Sequence, residues 1–430
     1  MDAPPETLSA DRCRLASRFW SAATICLGLL PLAMVVADRS SPLIVTLAAA
    51  AALAAVAVEG RTQSFLNDAA QHLRTLLGLA ALGFLAWAAL SVTWSPVRAT
   101  SLHALGELLL PVAAAFILVL TLPPRMPPWQ AGWIFGAAAA LACVLIGLEL
   151  RTGIGVRGAL GLRAHAFLFN RPTLTLLVLL APTVSMAQRL HPTKVALGGA
   201  LAATALVTGT ILLSYSGAAK LGLIIGFVTY MTARLSRRLA LAVMALGPVV
   251  VFALAPVWGD IADRLLPAGL HTHLAATHSR DRVDIWQSFG AAIRERPVFG
   301  AGFGTGARFA ETSAAARVAP EYRPFLDIGH PHNVAIQVWA ELGAVGAVLV
   351  VLILLLTLRS LAHLSPERLA PRLALFAAVF AVSFVGHGAW QGWWVAVIGA
   401  AVVWFLFADE WFRVRCGDAG TPVGSKDGPA

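Results

Sequence analysis

Residues 334–358 read VAIQVWAELGAVGAVLVVLILLLTL, an apolar run with Glu341 as its one acidic group. At 1.5 Å per residue such a run is long enough to cross the hydrocarbon core of a bilayer as a helix. It is one of twelve. Spans of this kind fall near 19–37, 42–58, 75–93, 105–121, 131–150, 172–187, 195–213, 217–233, 238–257, 334–358, 370–389 and 391–410. The whole chain of 430 residues is 58% hydrophobic and 13% charged, with a mean hydropathy of +0.76, outside the range of soluble globular proteins. The fold class is therefore an all-α polytopic membrane protein of about twelve transmembrane helices.

The first run follows Arg12, Arg14 and Arg18 with no small-residue cleavage site behind it, and reads as an uncleaved span. Cys13, Cys26, Cys143 and Cys416 form no disulfide framework and no CxxC metal site. The net charge of +10 is spread over many loops without an RNP-type aromatic motif, which argues against a nucleic-acid partner. Positive charge is retained on the cytoplasmic side of a membrane. The N-terminal tail, the even-numbered connections and the C-tail carry about half of the 32 Lys and Arg, whereas the short odd-numbered connections carry Arg39 and Arg98. Both termini are thus expected in the cytoplasm. The domains run as a tail, 1–18, nine spans over 19–257, a large periplasmic loop, 258–333, three spans over 334–410, and a tail, 411–430.

Two outer segments depart from that charge pattern. Segment 151–171 holds Arg151, Arg157, Arg163 and Arg171 with no acid, and asks for an anionic partner. The long loop balances eight Arg against eight Asp or Glu, so individual arginines matter more than its field. Connections of that length are uncommon unless they work or are disordered. Within it, Val283, Trp286, Phe289 and Ile293 recur at helical spacing.

Directly before the tenth span stand His330, His332 and Asn333. A neutral imidazole at His332 could take a proton from a hydroxyl, and the bland alternative is a histidine that caps or anchors the helix. His330, with His271, His273 and His278, could be read as a zinc cluster, but no HExxH or Cys pair supports a metal. Glu341 lies about 13 Å down the helix on a face turned away from His332, where an ionisable group needs a cavity or a partner. Gln337 shares its face, and Lys220, inside the eighth span, is a possible ion-pair partner. Arginine forks suit a diphosphate. Arg171, Arg280 and Arg282 are the best placed, against the plainer reading that each pairs with a loop carboxylate such as Asp281 or Asp284 or with lipid headgroups. The glycine run GAGFGTG, 300–306, lacks the strand-helix setting of a dinucleotide fingerprint and reads as a flexible turn.

Three stretches, in order, resemble the O-antigen ligase and polymerase superfamily of bacterial membrane glycan transferases. They are FNRPTLTLLVLLAP entering the sixth span, RVDIWQSFGAAIRERPVFGAGFG in the long loop, and HPHNVAIQVWAELGAVGAV entering the tenth. The resemblance covers the second half of the chain directly. It implies a GT-C-like bundle with a large periplasmic loop and metal-independent transfer of glycan from an undecaprenyl diphosphate donor, without a cofactor. It implies that His332 and Arg282 are the essential histidine and loop arginine, with Arg171 near the donor diphosphate. Arg280, Lys220 and Arg163 are further candidates for the diphosphate, and Asn333, His330 and Glu341 for support. One departure stands out: where many members carry Ser-Arg-Gly before the eighth span, this chain has SYSGAAKLG, with Ser216 in the arginine's place and Lys220 one turn on.

The expected reaction is transfer of a polysaccharide to a hydroxyl of lipid A core at the periplasmic face of the inner membrane, with inversion. Three rivals differ in what they act on: a polymerase that joins lipid-linked repeat units, a protein O-glycosylating enzyme, and a glycan transporter. The last would require broken helices and mid-membrane charges in matching halves. No halves correspond here.

Overall fold

The computed structural model describes residues 9–153, 155–162, 165–190, 194–265, 279–386 and 388–417. Among them every regular element is helical, as expected. Helices α1 (Ala10–Gly28), α2 (Leu30–Val36), α3 (Ser41–Val58), α4 (Thr62–Leu73), α5 (Leu76–Ser91), α6 (Arg98–Thr121) and α7 (Pro128–Thr152) form the first half. Then come α8 (Val156–Ala159), α9 (Asn170–Leu190), α10 (Lys194–Leu213), α11 (Gly217–Leu235), α12 (Arg237–Ala253) and α13 (Trp258–Leu265). The remainder is α14 (Ser279–Glu295), α15 (Ser313–Arg317), α16 (Val334–Leu361), α17 (Pro366–Val385) and α18 (Gly392–Gly417).

Each of the twelve apolar runs is helical over most of its length, and the described residues contain nine helices long and apolar enough to cross a membrane unbroken. The count reaches up to eleven when two pairs, α1 with α2 and α12 with its continuation through α13, are taken as single spans bent by 53° and 54°. Residues Leu197–Leu213 of α10 form a shorter apolar helix. One apolar core is built from the N-terminal spans with α9 and α18, where Phe135 stacks on the fully buried Trp404 at 4.3 Å. A second lies under α14 and α16. The loop helix expected from its periodicity is α14, and Val283, Trp286, Phe289 and Ile293 are its buried face.

The decisive irregularity lies inside the tenth apolar run, 334–358. α16 is interrupted at Gly343, whose φ of 64° and ψ of −163° belong to glycine alone. A break in a spanning helix strands carbonyls on one side and amides on the other, and in lipid these must find partners within the protein. Segment Pro297–Gly302 supplies them. Ala301 N donates to Ala340 O at 2.9 Å and Gly302 N to Glu341 O at 2.8 Å, while Ala344 N and Val345 N donate to the carbonyls of Pro297 and Val298. The indole N–H of Trp87 takes Leu342 O at 3.1 Å.

The alternating glycines of 300–306 therefore do not make a loose turn. Gly300, Gly302 and Gly304 all have positive φ, and a Cβ on them would strike Glu341 backbone, Ser95 and Ala104 respectively. Glycine is needed at every second residue because the segment is sandwiched against α16 and α6. Gly343→Ala would drive its methyl into Val298 O in a forbidden backbone region. A loss of roughly 3 kcal/mol or more is expected, seen as a marked drop in the unfolding temperature of the detergent-solubilised protein. An unchanged midpoint would contradict the close packing at the break.

Candidate active site

Trp286, on the buried face of α14, donates its indole N–H to Pro331 O at 3.0 Å and so ties α14 to the turn that carries the histidines. Arg282 lies one helical turn earlier on the same face. Asn333 caps α16, its Oδ1 accepting from Ala335 N and Ile336 N at 3.0 and 3.2 Å, while its buried Nδ2 has no partner among the described residues. The capping role considered for His332 therefore belongs to Asn333.

That division of labour frees the His332 ring. Among the described residues His332 is the one non-glycine with positive φ, at 51°. Such strain persists only where the surroundings hold it, and it gathers at functional positions. The ring lies 2.8 Å from Gly386 O through Nδ1. A carbonyl can only accept, so Nδ1 carries the proton and Nε2 keeps its lone pair. Burial lowers the basicity of His332, Gly386 O works in the opposite direction, and the Arg282 charge lowers it further. The result is a neutral imidazole at neutral pH, oriented from behind, with Nε2 bonded to no described residue.

His330 stacks obliquely on it with ring centres 4.2 Å apart. Burial, and second the His332 ring beside it, push His330 from 6.5 down to about 4. Between those values the unfolded chain binds a proton that the folded chain refuses, so unfolding is favoured as pH falls. The stability linked to His330 is complete above about pH 6.5 and is lost towards pH 4, by ~3 kcal/mol. Unfolding temperatures of solubilised protein should fall across that window, and His330→Gln should flatten the fall. An identical slope in the variant would refute the linkage.

The arginines part company. Arg282 is half-buried, burial depresses its affinity for a proton, and no described group pairs with it. A cation so placed is stabilised by an anion from outside. Arg280 is exposed and already occupied, by Asp263 at 2.7 Å and Asp284 at 2.9 Å, and the Asp263 hydrogen bond above all holds its proton more firmly. Arg171, on the first turn of α9, meets Asp38 at 2.5 Å and lies 5.6 Å above the Trp393 ring. Arg163, like His271, His273 and His278, lies outside the described residues.

Lys220 makes no ion pair with Glu341 among the described residues, contrary to the pairing considered from sequence. The reason is that Glu341, with no exposed surface, is already saturated. Oε1 accepts from Gly306 N at 3.1 Å and Gln337 Nε2 at 2.8 Å, and Oε2 from Gly304 N at 2.5 Å and Trp390 Nε1 at 2.7 Å. Glu341 is the rivet between α16, the glycine segment and the link 386–391. Ser216, in the position where the family pattern has arginine, caps α11 by accepting from Ala219 N.

Sequence reasoning missed that link. The eleventh span was expected to reach 389, but α17 stops at Val385, because Gly386 O holds His332, Ala389 N donates to Gln337 Oε1 and Trp390 reaches Glu341. The cluster of glycine with polar residues in GHGAWQG, 386–392, was the available signal.

Comparison with known proteins agrees with this architecture. Residues 202–351 match the family described as O-Antigen ligase, so the resemblance read from the motifs holds over a stretch containing α14, the glycine segment and the His332 turn. The chain is similar to a protein of Rickettsia bellii named "Putative polysaccharide ligase", 24% identical over 205 residues, which are 47% of this chain and 48% of that one. A protein of Rickettsia felis with the same name is 25% identical over 197 residues, 44% of this chain and 47% of its own. The matched region thus spans about half the length of these curated relatives. The helices define a multi-pass membrane protein, and residues 202–351 are similar to the O-Antigen ligase family.

Proposed function

We propose that this protein transfers a polysaccharide from undecaprenyl diphosphate to a hydroxyl of lipid A core at the periplasmic face of the inner membrane. The observation that carries the reading is the conjunction of a neutral His332, its Nε2 bonded to no described residue, with a half-buried Arg282 that no described group neutralises. The family match and the relatives' names support glycan transfer as the class.

The chemistry follows from those two groups. His332 Nε2 takes the proton of the acceptor hydroxyl as its oxygen attacks the sugar C1. The C1–O bond to the diphosphate breaks, its electron pair leaves with the diphosphate, and Arg282 stabilises the charge gathering there. Attack from the face opposite the leaving group inverts the anomeric centre. A diphosphate leaves with little need of protonation, so no carboxylate pair is required, in contrast to a glycosidase. Arg171 would serve the diphosphate only by releasing Asp38, and Arg280 only by releasing Asp263 and Asp284.

A deletion strain read on a lipopolysaccharide gel tests the assignment. Full-length chains left on the lipid carrier, with lipid A core bare, are the expected result. Cores capped by single repeats would instead indicate a polymerase, and unchanged lipopolysaccharide would remove both. Transfer by purified protein in detergent, with no second compartment, would argue against a transporter.

A further inference from the structure

The start of α3, residues 102–111 of α6 and the start of α18 line an open groove of about 760 Å3, within the usual size of small-molecule sites. Arg39, His103, Glu107, Leu110, Gln391 and Trp393 are among its walls. One side is apolar and open: Leu110 is 53% exposed on a helix that crosses the membrane. The polar side offers both kinds of hydrogen-bonding group. His103 Nε2 and Glu107 Oε1, 3.5 Å apart, are both accessible. Gln391 Oε1 accepts from Trp393 Nε1 at 2.6 Å, which fixes the amide and leaves Nε2 free to donate among the described residues.

The groove also borders the histidines. A methyl built on Gly388 would lie 3.4 Å from Gln391 Nε2 and 3.5 Å from His330 Cδ2, so a single glycine separates the groove from the histidine pair. Among the described residues the polar lining carries one arginine and one glutamate, and the Arg171–Asp38 pair over the Trp393 ring adds no net charge. A diphosphate would meet Glu107 and find no surplus of positive charge, whereas a ring bearing hydroxyls can donate to Glu107 and accept from Gln391 and Arg39.

We propose that this groove is the acceptor subsite: it binds the sugar of a lipid-anchored acceptor, admitted from the membrane past Leu110, with a hydroxyl facing the histidine pair. The inference deepens the transfer reading, since it needs an acceptor, but binding tests it separately. The probes are rough lipopolysaccharide, which carries lipid A and core sugars alone, and undecaprenyl phosphate, each titrated against purified protein without turnover.

Glu107→Gln and Gln391→Ala are each expected to weaken rough-lipopolysaccharide binding about tenfold and the double variant further, with undecaprenyl phosphate binding unchanged. Unfolding temperatures should match the parent, and the conservative Glu107→Asp should regain part of the affinity if contact is direct. Equal weakening for both probes, or for undecaprenyl phosphate alone, would overturn the acceptor assignment in favour of the donor. Unaltered binding of both would overturn the subsite altogether. If the parent binds rough lipopolysaccharide and the variants do not, yet no transfer occurs, the transfer reading falls and the groove stands only as a binding site for the lipid-anchored sugar.

Discussion

Replacing His332 by alanine is expected to cut glycan transfer by about 10²- to 10⁴-fold, the usual contribution of a positioned general base. The loss should fall on the catalytic rate, because Nε2 acts on the proton in flight. His332→Asn is the sharper variant, since asparagine tolerates the positive φ that this position requires. It should fold with an unchanged unfolding temperature and still fail to transfer. Arg282→Ala should be comparably inactive, and Arg282→Lys, which keeps the charge but loses the fork, should remain at least ~10-fold impaired. Retained transfer in both alanine variants would sink the assignment. The pH profile adds a check on the base. His332 sits below the ordinary imidazole value, mainly through burial, so activity should hold at neutral pH and begin its acid fall below pH 6.5. An acid limb centred above that value would assign the base elsewhere.

The second large effect concerns stability. Glu341→Ala would leave Gly304 N, Gly306 N, Gln337 Nε2 and Trp390 Nε1 without their acceptor in a site with no exposed surface. At about 1–3 kcal/mol for each buried group left unsatisfied, the loss reaches or exceeds about 4 kcal/mol, much of the margin by which a folded protein survives. Little intact protein should be recovered from membranes. Glu341→Gln should be milder, because its amide oxygen can still accept although its nitrogen faces other donors. If Glu341→Ala is purified at the parent's unfolding temperature yet inactive, Glu341 is chemical and not structural.

These two residues also mark how far the sequence could be read. All twelve apolar runs correspond to helices, because hydrophobic length is a local property that a bilayer enforces residue by residue. Helix α14 was legible for the same reason, its buried face recurring at helical spacing, whereas Arg282 and His332 were brought together only by the family resemblance. The phase of α16 placed Glu341 away from His332, but counting turns could not foresee the break at Gly343 two residues on. Nor could it foresee that three donors from two distant segments would join Gln337 on the carboxylate. Lys220 looked like a partner because sequence reasoning matches charge to charge, whereas the fold satisfied the charge with N–H groups. Arg280 and Arg282, two residues apart and chemically identical, were separated only by what lies around them. Asp263 and Asp284 occupy one; no described group occupies the other.

The sequence by itself therefore determined the helical membrane architecture and the identity of the histidine and arginine proposed for chemistry, since apolar run length and short motifs are written in consecutive residues. Only the tertiary structure decided which nitrogen of His332 is free, what Glu341 is for, and where the groove beside the histidines opens. Each of those depends on the link 386–391 lying against α16, a contact between segments about fifty residues apart, and no local pattern in either segment specifies the carbonyl, amide or indole that the other will meet.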